Sequence, residues 1–149
     1  MEKEKFMKMA LKEAKKCEKF DDVPVGAVIV KDGKVISKAY NQKEKCKNAV
    51  KHAEILAIEK ASKKLNSWHL DDLEIYVTKQ PCLMCYGALL SCRIKAIYFG
   101  AFDKKYGMQV NLYESLNEKG FNHKAIVEGG ILEEECAKIL TEFFKNKRK

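Results

Sequence analysis

The chain has 149 residues, 46% apolar and 34% charged, with 8 glycines and 2 prolines, which suits one globular domain (residues 1–149) and excludes a disordered or low-complexity chain. Its formal charge of +8 favours a polyanionic partner, nucleic acid first, although the lysines are spread along the chain and mixed with glutamates as on any solvated surface. No stretch approaches the roughly 20 apolar residues of a membrane span, and Met1-Glu2-Lys3-Glu4-Lys5 has acidic residues and no apolar run, so a cytoplasmic protein with no membrane partner is expected.

In chain order, Phe6, Met9, Ala10, Ala14 and Cys17 recur at helical spacing and predict an amphipathic helix from Glu2 to Phe20. Val25 to Val30 is a short apolar run, Asp32-Gly33 a tight-turn pair, and Val35 to Tyr40 a second run, together an antiparallel hairpin. His52 to Leu65 reads as a helix with Ile55, Leu56, Ile58 and Leu65 facing a sheet. Glu74 to Thr78 is strand-like, and a helix is expected to open at Pro81, a residue suited to the first helical position, and to run to Ser91. Ala96 to Phe99 and Lys124 to Glu128 follow as strands, and Leu132 to Lys145 closes the chain as a helix with Cys136, Ile139, Leu140 and Phe143 on one side. This order implies a three-layer α/β/α sandwich around a five-stranded mixed sheet, with Cys46–Lys51 and Asp103–Asn122 as functional loops.

Six cysteines in a reducing compartment form no disulfide framework, so the close pair Cys82 and Cys85 points to metal or redox chemistry. At a helix N-terminus both sulfurs feel the positive end of the dipole, which favours thiolates. His52, itself at the start of a helix, can add a nitrogen ligand, and three protein ligands leave the fourth position open, as in a catalytic zinc site. Two thiolates and an imidazole neutralise the ion, so the water there needs a base, and Glu54 can take its proton and deliver it to the substrate. His-x-Glu with Pro-Cys-x-x-Cys is the signature of the zinc nucleobase deaminases.

Beyond that signature, the chain resembles the bacterial tRNA-specific adenosine deaminase family, within the cytidine deaminase-like superfamily, along nearly its whole length. The resemblance is carried by Val23 to Val28, Asn41, His52-Ala53-Glu54-Ile55, Pro81-Cys82-Leu83-Met84-Cys85, Ser91 to Ile94, Phe99-Gly100-Ala101, Asn122-His123, Gly130-Ile131-Leu132 and Phe143-Phe144-Lys145. It implies a cytidine deaminase-like fold, one Zn2+ per subunit on His52, Cys82 and Cys85, proton transfer by Glu54, and a homodimer acting on a tRNA anticodon loop. It also implies that Asn41 and Val25 border the flipped base and that the Phe143-Phe144 pair meets the loop. By its own position Phe143 fits the core stripe, and Phe144 is the freer to stack on a base.

Three stretches depart from the family pattern: Asn48-Ala49-Val50-Lys51 before the histidine, Gln80 before Pro81, and Phe102 to Asn111. None removes a ligand or the base, so adenosine-to-inosine deamination in RNA is expected, at the tRNA wobble position. The alternative is deamination of a free guanine, adenine or cytosine, or of a nucleoside. A zinc-stabilised binding module closed by Cys46 or Cys92 is a third possibility, opposed by the intact Glu54. His69, His123, Cys46 and the basic tail Lys145 to Lys149 receive no assigned role; Cys92 reads as a buried small residue, and Asn41 equally as a turn residue.

Overall fold

The structure is a computed structural model that describes residues 2–103 and 123–147. Most of the predicted loop at 103–122, most of the 102–111 departure, Asn122 and the last two tail residues lie outside the described residues.

Helix α1 (Glu2–Ala14) leads through a 3-10 segment (Lys15–Phe20) to strands β1 (Gly26–Lys31) and β2 (Lys34–Tyr40). A short helix α2 (Lys43–Cys46), helix α3 (Ala53–Leu65), strand β3 (Glu74–Lys79), helix α4 (Leu83–Ser91) and strand β4 (Ala96–Ala101) follow. Strand β5 (Ile126–Glu128) and helix α5 (Glu133–Lys147) complete the described chain. The sheet order is β2-β1-β3-β4-β5; β1 is antiparallel to β2 and β3, while β3, β4 and β5 are mutually parallel neighbours. The five-stranded mixed sheet with helices on both faces is the three-layer α/β/α sandwich expected of the sequence.

Strand alternation explains the layers. Along β1, Ala27 and Ile29 enter a core with Ala53, Ala57 and Ala61 of α3 and Tyr86, Leu89 and Leu90 of α4. Val28 and Val30 point the other way, into a core with Phe6, Met7 and Ala10 of α1 and Cys136 of α5. A strand covered on both faces needs apolar residues at every position, hence the unbroken run from Val25 to Val30.

Four expectations need correction. The first helix ends at Ala14 and continues as a 3-10 turn that reverses at Asp21, in the left-handed region at φ 57°. This tighter winding carries Cys17 under the sheet edge, where its thiol donates to the carbonyls of Val25 (3.7 Å) and Asn41 (3.4 Å). On α3 the fully buried positions are Ala53, Ala57 and Ala61, with Leu56, Ile58 and Leu65 only partly buried around them, because small residues let the helix backbone approach the sheet. Pro81 lies outside α4: the carbonyl of Cys82 already accepts the first helical bond, from the Tyr86 amide at 2.8 Å, so Cys82 is the N-cap. Strand β5 is shorter than the predicted Lys124–Glu128 and is exposed along its length.

Candidate active site

Both signature fragments begin helices whose N-termini meet at the same end of the sheet. His52 is the N-cap of α3 and Cys82 the N-cap of α4, each with extended backbone and neither spending its side chain on a capping bond. A serine or aspartate in such places would fold back onto the helix amides; an imidazole and a thiol remain available to a third party. Cys85, one turn further into α4, is fully buried.

His52 Nδ1 lies 3.7 Å from Cys82 Sγ and 3.5 Å from Cys85 Sγ, and the three ligand atoms are all within 4.8 Å of one another. Tetrahedral coordination at ordinary zinc–sulfur and zinc–nitrogen lengths requires separations of about 3.6–3.8 Å between ligands, so the donor set fits zinc in type and spacing. Among the described residues neither Cys46 nor Cys92 joins this set. Cys46 is exposed beside Gln42, and the Cys92 thiol donates to the Leu89 carbonyl at 3.3 Å. A closed four-ligand site from either cysteine is therefore not what the fold builds.

The electrostatics separate the groups sharply. A hydrogen bond from Cys85 holds the Cys82 thiol down at about 4 against the opposing effect of burial, with His52 adding to the stabilisation. The same bond, with burial, moves Cys85 upward. His52 is raised chiefly by its hydrogen bond to Cys82, with burial and the charge of Lys43 opposing. Burial pushes the Glu54 carboxyl up to about 7, where a carboxyl can both accept and return a proton near neutral pH. Glu54 is only 4% exposed, and its carboxyl shares a hydrogen bond with Cys85.

These groups open into a cleft of about 320 Å3 that is lined as well by Val23, Val25 and Asn41, by Lys79, Gln80 and Asp103, and by the exposed Lys43. A larger groove of about 540 Å3 between the 3-10 turn and α5 contains Phe143 but neither histidine nor cysteine. Of the predicted site residues, the cleft gathers Val25, Asn41, His52, Glu54 and Cys82, with Cys85 behind them. Phe144 is not part of it; it is 44% exposed on α5, packed edge-on against Phe143 at 5.2 Å. Asn41 has turn duties as well, since its side chain donates to the Val23 carbonyl (3.0 Å) and accepts from the Lys43 amide (3.1 Å). His69 stacks on Trp68 and lies 3.5 Å from Asp71, and His123 Nε2 lies 2.6 Å from the Ile94 carbonyl, both away from the cleft.

Sequence reasoning missed Lys43, Lys79 and Asp103, and treated Gln80 only as a departure. Gln80 is buried and ties the exit of β4 to the cysteine turn: its amide donates to the Ala101 carbonyl at 2.8 Å and its side-chain oxygen accepts from the Asp103 amide at 2.9 Å. The departure itself was the only available signal.

Fold and site together define a deaminase, and residues 1–148 match the family described as MafB19-like deaminase. Over nearly its full length the chain is similar to the tRNA-specific adenosine deaminases of Aquifex aeolicus (47% identical, covering 99% of this chain and 97% of that one) and Bacillus subtilis (46%, covering 98% and 91%). A solved structure from a study of A-to-I editing by tRNA:A34 deaminases at the wobble position superposes with a TM-score of 0.84 at 36% identity, covering 91% of this chain and 99% of that one. The chain belongs to the tRNA-specific adenosine deaminase family.

Proposed function

We propose that this protein is a hydrolytic deaminase that converts adenosine to inosine in tRNA, at the wobble position of the anticodon loop, with His52, Cys82 and Cys85 holding one Zn2+ per subunit. The observation that carries the reading is the buried Glu54 carboxyl, tuned by its surroundings to about 7 and set beside a three-ligand metal site in one cleft. The relatives supply the substrate class, since they match along the whole chain and are tRNA-specific by name. The free-base alternative is not favoured, because the full-length relatives are tRNA-specific by name.

When bound, zinc supplies Lewis-acid activation of the attacking water, the chemistry common to the zinc nucleobase deaminases. Glu54 takes a proton from that water as it adds to C6 of the flipped adenine and passes it to N1. The same carboxyl then carries the second proton to the departing amine, so that adenosine and water become inosine and ammonia. Val25 and Asn41 wall the base; after its two turn bonds the Asn41 amide retains one N–H and one acceptor lone pair for the ring. Phe144 is assigned to stacking on the anticodon loop.

The enzyme acts in the cytoplasm as a homodimer. Among the described residues no helix is long and apolar enough to cross a membrane. Leu83 and Met84, 46% and 37% exposed on α4 beside the site, support burial by a second subunit.

The test is to incubate metal-quantified protein with unmodified tRNA and, separately, with free bases and nucleosides, scoring ammonia and inosine. Inosine at the wobble position is expected; ammonia from free bases or nucleosides alone would overturn the tRNA assignment.

A further inference from the structure

The margin of the cleft carries a cation that deamination itself does not use. Lys43 opens α2, is exposed, and borders the same cleft as His52, Glu54 and Cys82. Its neighbours are already engaged. Lys79 lies 3.5 Å from Asp103 and Lys51 3.2 Å from Glu59, Lys47 is 3.8 Å from Glu44, and Lys45 donates to the Tyr40 hydroxyl at 2.9 Å above the Phe20 ring. Among the described residues the Lys43 ammonium has no acidic partner and no hydrogen bond.

The backbone beneath it is held firmly. The Lys43 amide donates to Asn41 Oδ1 at 3.1 Å, and the next two amides, of Glu44 and Lys45, donate to the Asp22 carboxylate, with Asp22 only 1% exposed. The Gln42 amide closes the base of the loop on the Lys51 carbonyl at 2.9 Å. Backbone anchored this way keeps the root of the side chain at the rim, so little ordering of the main chain is left for a ligand to bring about.

We propose that Lys43 is a subsite for a phosphodiester of the polynucleotide beside the target adenosine, and that it favours a nucleotide within a chain over a free base. The inference rests on the deaminase reading above. A base flipped into the cleft keeps its flanking phosphates at the rim, and an unpaired ammonium there replaces their counterions; a free base offers no anion to meet it. Lysine binds phosphate as a point charge, so the rim selects for charge and position rather than for neighbouring base identity.

The test uses the zinc-loaded protein, an RNA anticodon stem-loop, and a series of KCl concentrations, reading binding by fluorescence anisotropy and inosine in parallel. Lys43→Gln is expected to weaken binding roughly three- to fivefold at low salt. It should also make the slope of log affinity against log salt shallower by about one, with zinc content unchanged. Lys43→Arg should restore the slope. Lys34→Gln, at the hairpin turn on the far end of β1, serves as the control and should not alter it. An unchanged slope in Lys43→Gln, or an equal change in Lys34→Gln, overturns the subsite. If the wild type binds the RNA but forms no inosine, the substrate assignment fails while the slope still decides Lys43; absence of RNA binding by the wild type overturns both.

Discussion

Glu54 shows how one residue acquires a function through its surroundings. On an exposed first turn, a carboxylate would do no more than complement the helix dipole. Here the fold buries it beside Cys85, and desolvation brings it to about 7, as the proposed role of base and then acid within a single turnover requires. Glu54→Gln preserves shape and hydrogen bonding but cannot move a proton. Turnover should fall by roughly two to four orders of magnitude while metal content, measured by elemental analysis, stays the same. Loss of metal together with activity would instead make Glu54 a structural support of the ligand set.

At the scale of elements, α1 and α3 press closely on opposite faces of the sheet. On the α1 side the approach is made possible by Gly26: a Cβ there would come within 1.9 Å of the Ala10 carbonyl oxygen and 2.6 Å of the Ala14 amide nitrogen. Both neighbours are backbone and cannot swing aside. Gly26→Ala should therefore cost about 2–3 kcal/mol, lowering Tm by roughly 5–10 °C in a thermal melt. A change of under about 1 °C would mean that α1 can slide without cost. The positions of the helices were legible in the hydrophobic pattern, but their contact faces were only partly so. Large side chains suggested the buried face of α3, whereas its alanines pack closest, because a helix pressed against a twisted sheet has no room for a leucine at the point of contact.

For the molecule as a whole, three buried thiols outside the His52, Cys82 and Cys85 cluster report on the integrity of the fold. Burial pushes Cys17 and Cys92 up to about 11 and Cys136 to about 12, all from an ordinary 9.0. A folded-state value above the unfolded one means that the unfolded chain releases its proton first as pH rises. The stabilisation is complete below about pH 9 and is lost as pH climbs toward 11 and 12. Thermal melts should therefore show Tm falling from about pH 9 upward, and Cys17→Ala should fall less steeply than the wild type over that range. Parallel curves for the two proteins would show that Cys17 ionises equally in both states.

The amino-acid sequence by itself determined the elements and the candidate site residues. Binary patterning marks a strand or helix within a few residues, and the proposed zinc ligation with proton transfer would demand particular side chains at short spacing, so His52, Glu54, Cys82 and Cys85 stand out before any fold is known. What only the tertiary structure decided is which residues meet across distance. Lys43, Gln80 and Asp103 come from three separate segments and share no pattern with the ligands, and Asp22 anchors Glu44 and Lys45 across a gap of more than twenty residues. The value of Glu54 belongs to the same class: desolvation is a property of everything packed around a group, and no short stretch of sequence contains it.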